Sequence, residues 1–412
     1  MQGRAVDERT WWSRPGLEVR GGRLFVAGRD AEEVARAHGT PIYVHDLARV
    51  AEQAIALRDA LANAGLRDLV RLALKAQRGS ELLRFIRDHT SFVGVDVCSP
   101  GEIGWALDHG WSVEEISYTG TNLSARDLDA ILDAGVHLNV DLLTQLDRVG
   151  RRAPGATVGI RVNPGVGASH AGSGETLYTG ERPTKFGILP ERLDEAIAIA
   201  REHGLTIDTV HFHVGDGYLS DGLEVFEETV RRVAGMTERL IEAGCPILEI
   251  NTGGGLGVPQ RVGDAPLAVD RWAAILADHL GPFDVVVSTE PGDFLVKECA
   301  VHLAEVVTVE DRRGSRFVGL DTGWNVMSER FVYGALLDLV LCRDVEGAST
   351  GPVTIAGHIN EGNDLFAEEV PFPDVVEGDV VAAINVGSYN ACMTSEHCLR
   401  PPAGAVFFAD RA

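Results

Sequence analysis

From about residue 41 the chain repeats one unit, a short aliphatic or β-branched run followed by a turn and an amphipathic stretch, and this alternation restricts the fold more than any other feature. PIYVHD precedes LARVAEQAIALRDALANAG, VRLALKA precedes SELLRFIRDH, FVGVDV precedes PGEIGWALDHG, EEISYTG precedes SARDLDAILDAG, and HLNVD precedes LTQLDRVG. TVGIRVNP, TIDTVHFHVG, ILEINTGGG and FDVVVSTEPG continue the series. Strands separated by helices of this length pair in parallel through βαβ crossovers. About eight such units in about 250 residues predict an α/β chain closed into a TIM-type (β/α)8 barrel rather than an open sheet. No GxGxxG follows the first strand, which argues against a dinucleotide-binding fold.

After residue 297 the texture changes to period-2 runs such as AVHLAEVVTVEDRRGSRFVGLDTG, PVTIAGHI and DVVAAINVG, with few long helical stretches. The expected organisation is a barrel over residues 40–296 and a second, all-β domain of sandwich or barrel-like build over residues 297–412. GLEVRGGRLFVAG, within residues 1–39, reads as strand-turn-strand and is expected to contribute to that β domain.

Composition narrows the function classes. A net charge of −24 repels a phosphate backbone, so nucleic acid is not an expected partner. No run approaches the ~18 apolar residues of a membrane span, and the acidic start lacks a signal peptide's apolar core, so a cytoplasmic protein without membrane attachment is expected. The 6 cysteines form no CxxC pair, and among the 13 histidines only His211 and His213 are closely spaced, with no carboxylate or thiol at ligand spacing. No metal site is expected.

In a parallel barrel the chemistry gathers at the carboxyl ends of the strands. There stand Lys75 after RLAL, His213 in VHFHVG, Gly253, Gly254 and Gly255 after EINT, and Glu290 after VVVST. Each has a bland reading: a lysine snorkelling to the rim, a core histidine, glycines in a turn, a solvated acid. Jointly they match the needs of a pyridoxal phosphate site. A partly desolvated lysine offers a free amine, glycine-rich backbone approaches a phosphate, and a carboxylate beside the pyridine nitrogen keeps the ring protonated.

These residues, with LALKAQ, GVDVCSPGEI, YTGTNLS, RVNPGV, TKFGI, HFHVG, NTGGGLGV, TEPG, FVYGA, EGNDLF and GSYNACMTSEH, closely resemble the fold-type III pyridoxal phosphate-dependent decarboxylases, diaminopimelate decarboxylase above all, along nearly the whole chain. The resemblance implies pyridoxal 5'-phosphate as cofactor and decarboxylation of a small-molecule amino acid to an amine. It implies that Lys75 is the Schiff-base lysine, that Asp96 orients the lysine region, that His213 stacks on the ring and that Glu290 faces the pyridine nitrogen. Gly215 and the loop Gly253–Gly255 would bind the phosphate, with Gly292 also at the cofactor and Tyr389 adding a hydroxyl from the second subunit or the β domain. Tyr333, Glu361 and Asp364 would meet the substrate, Asp364 from the partner, because the family builds its active sites across a head-to-tail homodimer.

The sequence departs from the family at three places. EPGR is here Glu290-Pro291-Gly292-Asp293, and the arginine four residues before YGA is Glu329, with Arg330 adjacent. Two acids in place of the two cations that hold a distal carboxylate favour a substrate with a cationic or uncharged distal end, so Asp293 and Glu329 are expected at the substrate. The bland alternative pairs both with nearby arginines such as Arg330. The family's Cys-Glu-Ser-x-Asp is Asn360-Glu361-Gly362-Asn363-Asp364, and an amide at Asn360 is no acid at neutral pH, leaving Lys75, water or Cys392 to protonate Cα. The serine after HVG is Asp216, pointing away or toward substrate. True meso-diaminopimelate decarboxylation, as in lysine biosynthesis, and decarboxylation of a carrier-tethered amino acid are the alternatives. A racemase and a non-catalytic homologue stand further off, since the first lacks the EGNDLF to GSYNACMTSEH layout and the second has no reason to keep the cofactor set.

Overall fold

The structure, a computed structural model, describes residues 8–169, 178 and 184–412. The chain divides into two compact units, a barrel unit of residues 52–258 and 265–295 and a β unit of residues 1–51, 259–264 and 296–412.

The barrel unit is a closed ring of eight parallel strands: β1 (Arg67–Ala73), β2 (Val93–Val97), β3 (Ile116–Gly120), β4 (His137–Val140), β5 (Thr157–Arg161), β6 (Thr206–His211), β7 (Glu249–Asn251) and β8 (Val286–Thr289). Closure comes from β8 pairing in parallel with β1, Val286 opposite Arg67 and Thr289 opposite Val70. One intervening helix shows clear local start and stop signals. In Ala125–Ala134 the Ser124 hydroxyl accepts from the Asp127 N–H while Asp127 accepts from the Ser124 N–H, Leu128 and Ile131 supply the buried stripe, and Gly135 ends the helix at φ 72°.

Part of the barrel interior is polar and cross-linked between strands, although Asn139 Oδ1 and Arg71 Nε have no partner among the described residues. Asn139 on β4 donates to Ser117 and Thr119 on β3, both at 3.0 Å. Arg71 on β1 reaches Glu249 on β7 with two bonds, at 2.6 and 3.2 Å. Such side chains are costly in a core without hydrogen-bond partners, and here they lie on strands whose carboxyl ends carry the candidate chemistry.

The β unit is organised by one long strand, Ala300–Arg312. It pairs antiparallel with Ser315–Leu320, Val380–Ala383 and Ile42–Asp46; Gly351–Ala356 and Leu365–Phe372 extend one side, Leu339–Leu341 and Gly404–Phe408 the other. The N-terminal strands Leu17–Arg20 and Arg23–Val26 pair with each other, and their Leu17, Leu24 and Val26 pack into a core with Ile42, Val44, Val301 and Leu303.

One expected barrel strand is placed elsewhere. PIYVHD, counted from sequence as the first barrel strand, supplies Ile42–Asp46 to the β unit, and the other eight runs close the barrel. All five residues are buried, so the run lacks the alternation that would mark a one-faced sheet. A fully buried strand reads alike in a parallel barrel or between two partners in a mixed sheet. Among the described residues no helix is long and apolar enough to cross a membrane, and none of their His, Cys, Asp and Glu side chains group as a metal site.

Candidate active site

The barrel brings most of the expected cofactor residues to one end. Lys75 follows β1 by two residues and is exposed. Asp96 lies within β2, buried, and its Oδ1 has no hydrogen-bond partner among the described residues. Burial, and next the charge of Glu290, raise the Asp96 carboxyl well above the usual carboxylate range, while the Lys75 ammonium acts the other way. Lys75 also acts on His213, which sets the lysine, Asp96 and His213 within electrostatic reach of one another.

His213 comes two residues after β6 and is half-buried. Its Nδ1 accepts the Gly254 N–H at 3.2 Å, and the Tyr178 ring meets it edge-on with centroids 4.8 Å apart. Burial first, then the positive charges of Arg161 and Lys75, hold the imidazole well below its ordinary value, so His213 is neutral at pH 7 with its proton on Nε2.

The glycine triplet after β7 is closely packed backbone. Gly253 and Gly255 take φ of 63° and 94°, a region that disfavours other residues. A Cβ on Gly254 would lie 2.4 Å from the Glu290 carbonyl oxygen, and one on Gly255 2.3 Å from the Gly215 carbonyl oxygen. The loop is tied down at Gly253, whose N–H donates to Asn251 Oδ1 at 2.9 Å and whose carbonyl accepts the Glu290 N–H at 2.7 Å.

Glu290, just past β8, is buried. Asn251 Nδ2 donates to its Oε1 at 2.5 Å, and His211 Nε2 stands 3.1 Å from its Oε2. Burial opposes ionisation, but the His211 imidazole, Arg71 and the Asn251 amide outweigh it and hold Glu290 at about 2. Asp96 and Glu290 thus diverge, one pushed up and one held down, as environments do where paired acids take different roles. Sequence reasoning considered His211 only as a metal ligand and passed over Asn251; both end barrel strands two residues before a residue that it did select. Arg161, ending β5 near Asp141 at 3.7 Å and over the Phe186 ring at 4.4 Å, is a further buried cation not anticipated.

Beside these, Gly292 is buried in the turn after Glu290, and Asp293, half-buried, opens the short helix Asp293–Val296. Asp293 contributes to raising the Tyr178 hydroxyl, after burial and Asp216. Asp216 itself is exposed, in the two-residue strand that Gly215 shares with Ala168–Ser169.

The remaining expected residues belong to the β unit. Glu329, expected at the substrate, is buried and salt-bridged to Lys297, whose side chain is only 2% exposed. Asn390 completes the cluster, donating from Nδ2 to Glu329 Oε2 at 3.1 Å and accepting the Glu329 N–H at 3.2 Å. The partner of this acid is therefore a lysine 32 residues earlier rather than Arg330. Asp364, likewise expected at the substrate, commits its carboxylate to the backbone: Oδ1 accepts the Trp324 N–H at 2.8 Å and Oδ2 the Ile359 N–H at 2.7 Å. Glu361 and Asn360 are exposed, and Glu361 Oε1 is 3.1 Å from His397 Nε2. The Tyr333 and Tyr389 rings meet edge-on at 5.9 Å, and Tyr389 holds a φ of 52°. Such a backbone in a non-glycine residue persists only where its surroundings enforce it.

Comparison with known proteins agrees with this chemistry. A family model described as the pyridoxal binding domain of pyridoxal-dependent decarboxylases matches residues 47–297. A diaminopimelate decarboxylase of Methanothermobacter thermautotrophicus is 33% identical over 397 residues, covering 94% of this chain and 91% of its own. One from Streptomyces coelicolor is 34% identical over 389 residues, covering 89% of this chain and 84% of its own. The crystal structure of Helicobacter pylori diaminopimelate decarboxylase complexed with L-lysine superposes with a TM-score of 0.83 at 26% identity, over 92% of this chain and 93% of that one.

Proposed function

As a member of the pyridoxal-dependent decarboxylase family, this chain is a pyridoxal 5'-phosphate-dependent amino-acid decarboxylase, and we propose that its substrate is meso-diaminopimelate. The observation that carries this choice is the Lys297–Glu329 pair. Glu329 stands where family resemblance expects an arginine, and a free acid there would oppose a distal carboxylate. An acid already neutralised by a buried lysine does not present that charge, so the main electrostatic objection to a dicarboxylic substrate falls away. The similarity of nearly the whole chain to proteins named diaminopimelate decarboxylase supports the same choice.

The barrel's side chains fit the cofactor. The triplet loop is bare backbone with no side chain to obstruct a phosphate, Asp96 keeps a buried oxygen without a partner among the described residues, and Lys75 is exposed beside it. In this reading Lys75 would anchor the cofactor through its amine, Gly215 and Gly253–Gly255 would bind its phosphate, Gly292 would also meet the cofactor, and Tyr389 would add a hydroxyl. His213, neutral, offers a ring face without competing charge, and Glu290, ionised, accepts a proton-bearing ring nitrogen. Once bound, the cofactor supplies an electron sink for the pair released when the α-carboxylate leaves. Lys75, water or the half-buried Cys392 would return the proton to Cα, because the Asn360 amide cannot. Glu361, Tyr333 and Asp364, whose oxygens each accept one backbone amide and keep a further lone pair, would meet the substrate. A head-to-tail homodimer with shared sites and a cytoplasmic location belong to the same reading.

Asp293 favours a second reading. It occupies the other position where resemblance expects an arginine, and an acid there suits a substrate whose far end is cationic or uncharged, a carrier-tethered amino acid included. Release of CO2 from meso-diaminopimelate, lysine, ornithine and arginine, in both α configurations, separates the readings. Preference for diaminopimelate is expected. Preference for a basic amino acid would replace it with the second reading, and inactivity of cofactor-loaded enzyme on every free amino acid would point to a tethered one.

A further inference from the structure

His211 is a buried histidine with one hydrogen-bonding nitrogen used and one idle. Its Nε2 is 3.1 Å from Glu290 Oε2, while Nδ1 is buried without a partner among the described residues. A proton on Nδ1 would be stranded, whereas a proton on Nε2 meets a carboxylate, so the geometry selects the Nε2–H tautomer as donor. The other carboxylate oxygen takes the Asn251 amide at 2.5 Å, and Asn251 is itself fixed by the Gly253 N–H at 2.9 Å. His211, Asn251 and Glu290 are 2%, 0% and 6% exposed, so no bulk water substitutes for either donor. Two donors from neighbouring positions around the barrel, the ends of β6 and β7, therefore grip one oxygen each and remove the carboxylate's freedom to rotate.

Each gripped oxygen keeps a second lone pair, and the grip decides where it aims. We propose that His211 is a positioning residue for Glu290: by donating from Nε2 to Oε2 it fixes the carboxylate's rotation, so that the remaining lone pairs face the ring nitrogen of the bound cofactor. The inference rests on the reading above that Glu290 is the partner of that nitrogen. It assigns a role to a histidine that sequence reasoning singled out and left without one.

The test compares two ligands, pyridoxal phosphate and its analogue with C–H in place of the ring nitrogen. Each is titrated into cofactor-free wild type and variants, and Kd is read from protein fluorescence. Removing the donor in His211→Leu should raise Kd for pyridoxal phosphate about tenfold, the loss expected for one hydrogen bond to a charged group, and leave the analogue's Kd within about twofold. His211→Gln, whose side-chain amide can place a donor near Nε2, should recover most of the difference. Equal weakening of both ligands would make His211 a packing residue, and no weakening of either would remove it from the site; both results overturn the proposal. If His211→Leu does not fold by circular dichroism, His211→Asn, too short to reach Oε2, carries the same expectation. A Glu290→Gln arm separates the two levels of inference. Failure of Glu290→Gln to distinguish the ligands defeats the reading of Glu290, whereas success there with failure of His211→Leu defeats only the role of His211.

Discussion

Removing one partner of the Lys297–Glu329 pair should cost far more than replacing both. The two side chains are 2% and 9% exposed, and Asn390 donates to the acid's second oxygen at 3.1 Å. Lys297→Met takes the ammonium away from a buried carboxylate, which costs about 3 kcal/mol, the lower end of the usual range for a broken buried pair because Asn390 stays in place. Glu329→Gln removes the carboxylate from the buried ammonium at a similar cost. In Lys297→Met/Glu329→Gln no charge is buried, the Gln carbonyl can still accept from Asn390, and the desolvation cost of two ions disappears. The double variant should lie within about 1 kcal/mol of wild type, giving a coupling of about 5 kcal/mol, well beyond additivity. Because the chain has two compact units, a single unfolding midpoint would mix them. Hydrogen exchange under graded denaturant, followed on peptides from the Ala300–Arg312 strand, reads the β unit by itself. A double variant as unstable as either single, or single losses below about 1 kcal/mol, would refute the view of Lys297 and Glu329 as one neutralised unit, and with it the electrostatic support for a dicarboxylic substrate.

Two further outcomes follow from buried groups. Burial lowers His45 to about 4 and His302 to about 3, so the unfolded chain protonates first as pH falls; their contribution is complete above pH ~6.5 and lost as pH drops toward those values, at about 3 kcal/mol for His45. The stability of the β unit, read by the same hydrogen exchange on peptides from Ala300–Arg312, should therefore fall less steeply below pH ~6.5 in His302→Gln than in wild type, and parallel curves would contradict this. Gly254→Ala places a methyl 2.4 Å from the Glu290 carbonyl oxygen, against the Glu290–Pro291 backbone rather than a flexible side chain that could yield. It should abolish cofactor binding in a titration, or lower thermal stability by several degrees if the loop shifts to admit the methyl.

Much of the site was legible because the barrel converts position along a strand into position in space. Lys75, His213, Gly253–Gly255 and Glu290 follow strands β1, β6, β7 and β8, and a closed parallel ring delivers all those ends to one rim. Lys297 was not legible. It lies in the apolar FLVKECA without periodic or motif signal, and its partner is 32 residues away. Nor could sequence reveal that each oxygen of the Asp364 carboxylate would accept a backbone amide, from Trp324 and from Ile359, since a carboxylate in a motif looks the same whatever its own loop offers it.

Local periodicity, turn residues and caps act over a few residues, so the alternation of strands and helices, their number near eight, the change to a β texture after residue 297 and the identity of the rim residues can be read from the residues alone. Which sheet would accept Ile42–Asp46, which cation would meet Glu329 and which donors would orient Glu290 depend on strand registers and on groups far apart along the chain. Those choices are made only when the tertiary structure closes, because a buried charge or donor settles on whichever partner the completed packing brings within hydrogen-bonding distance.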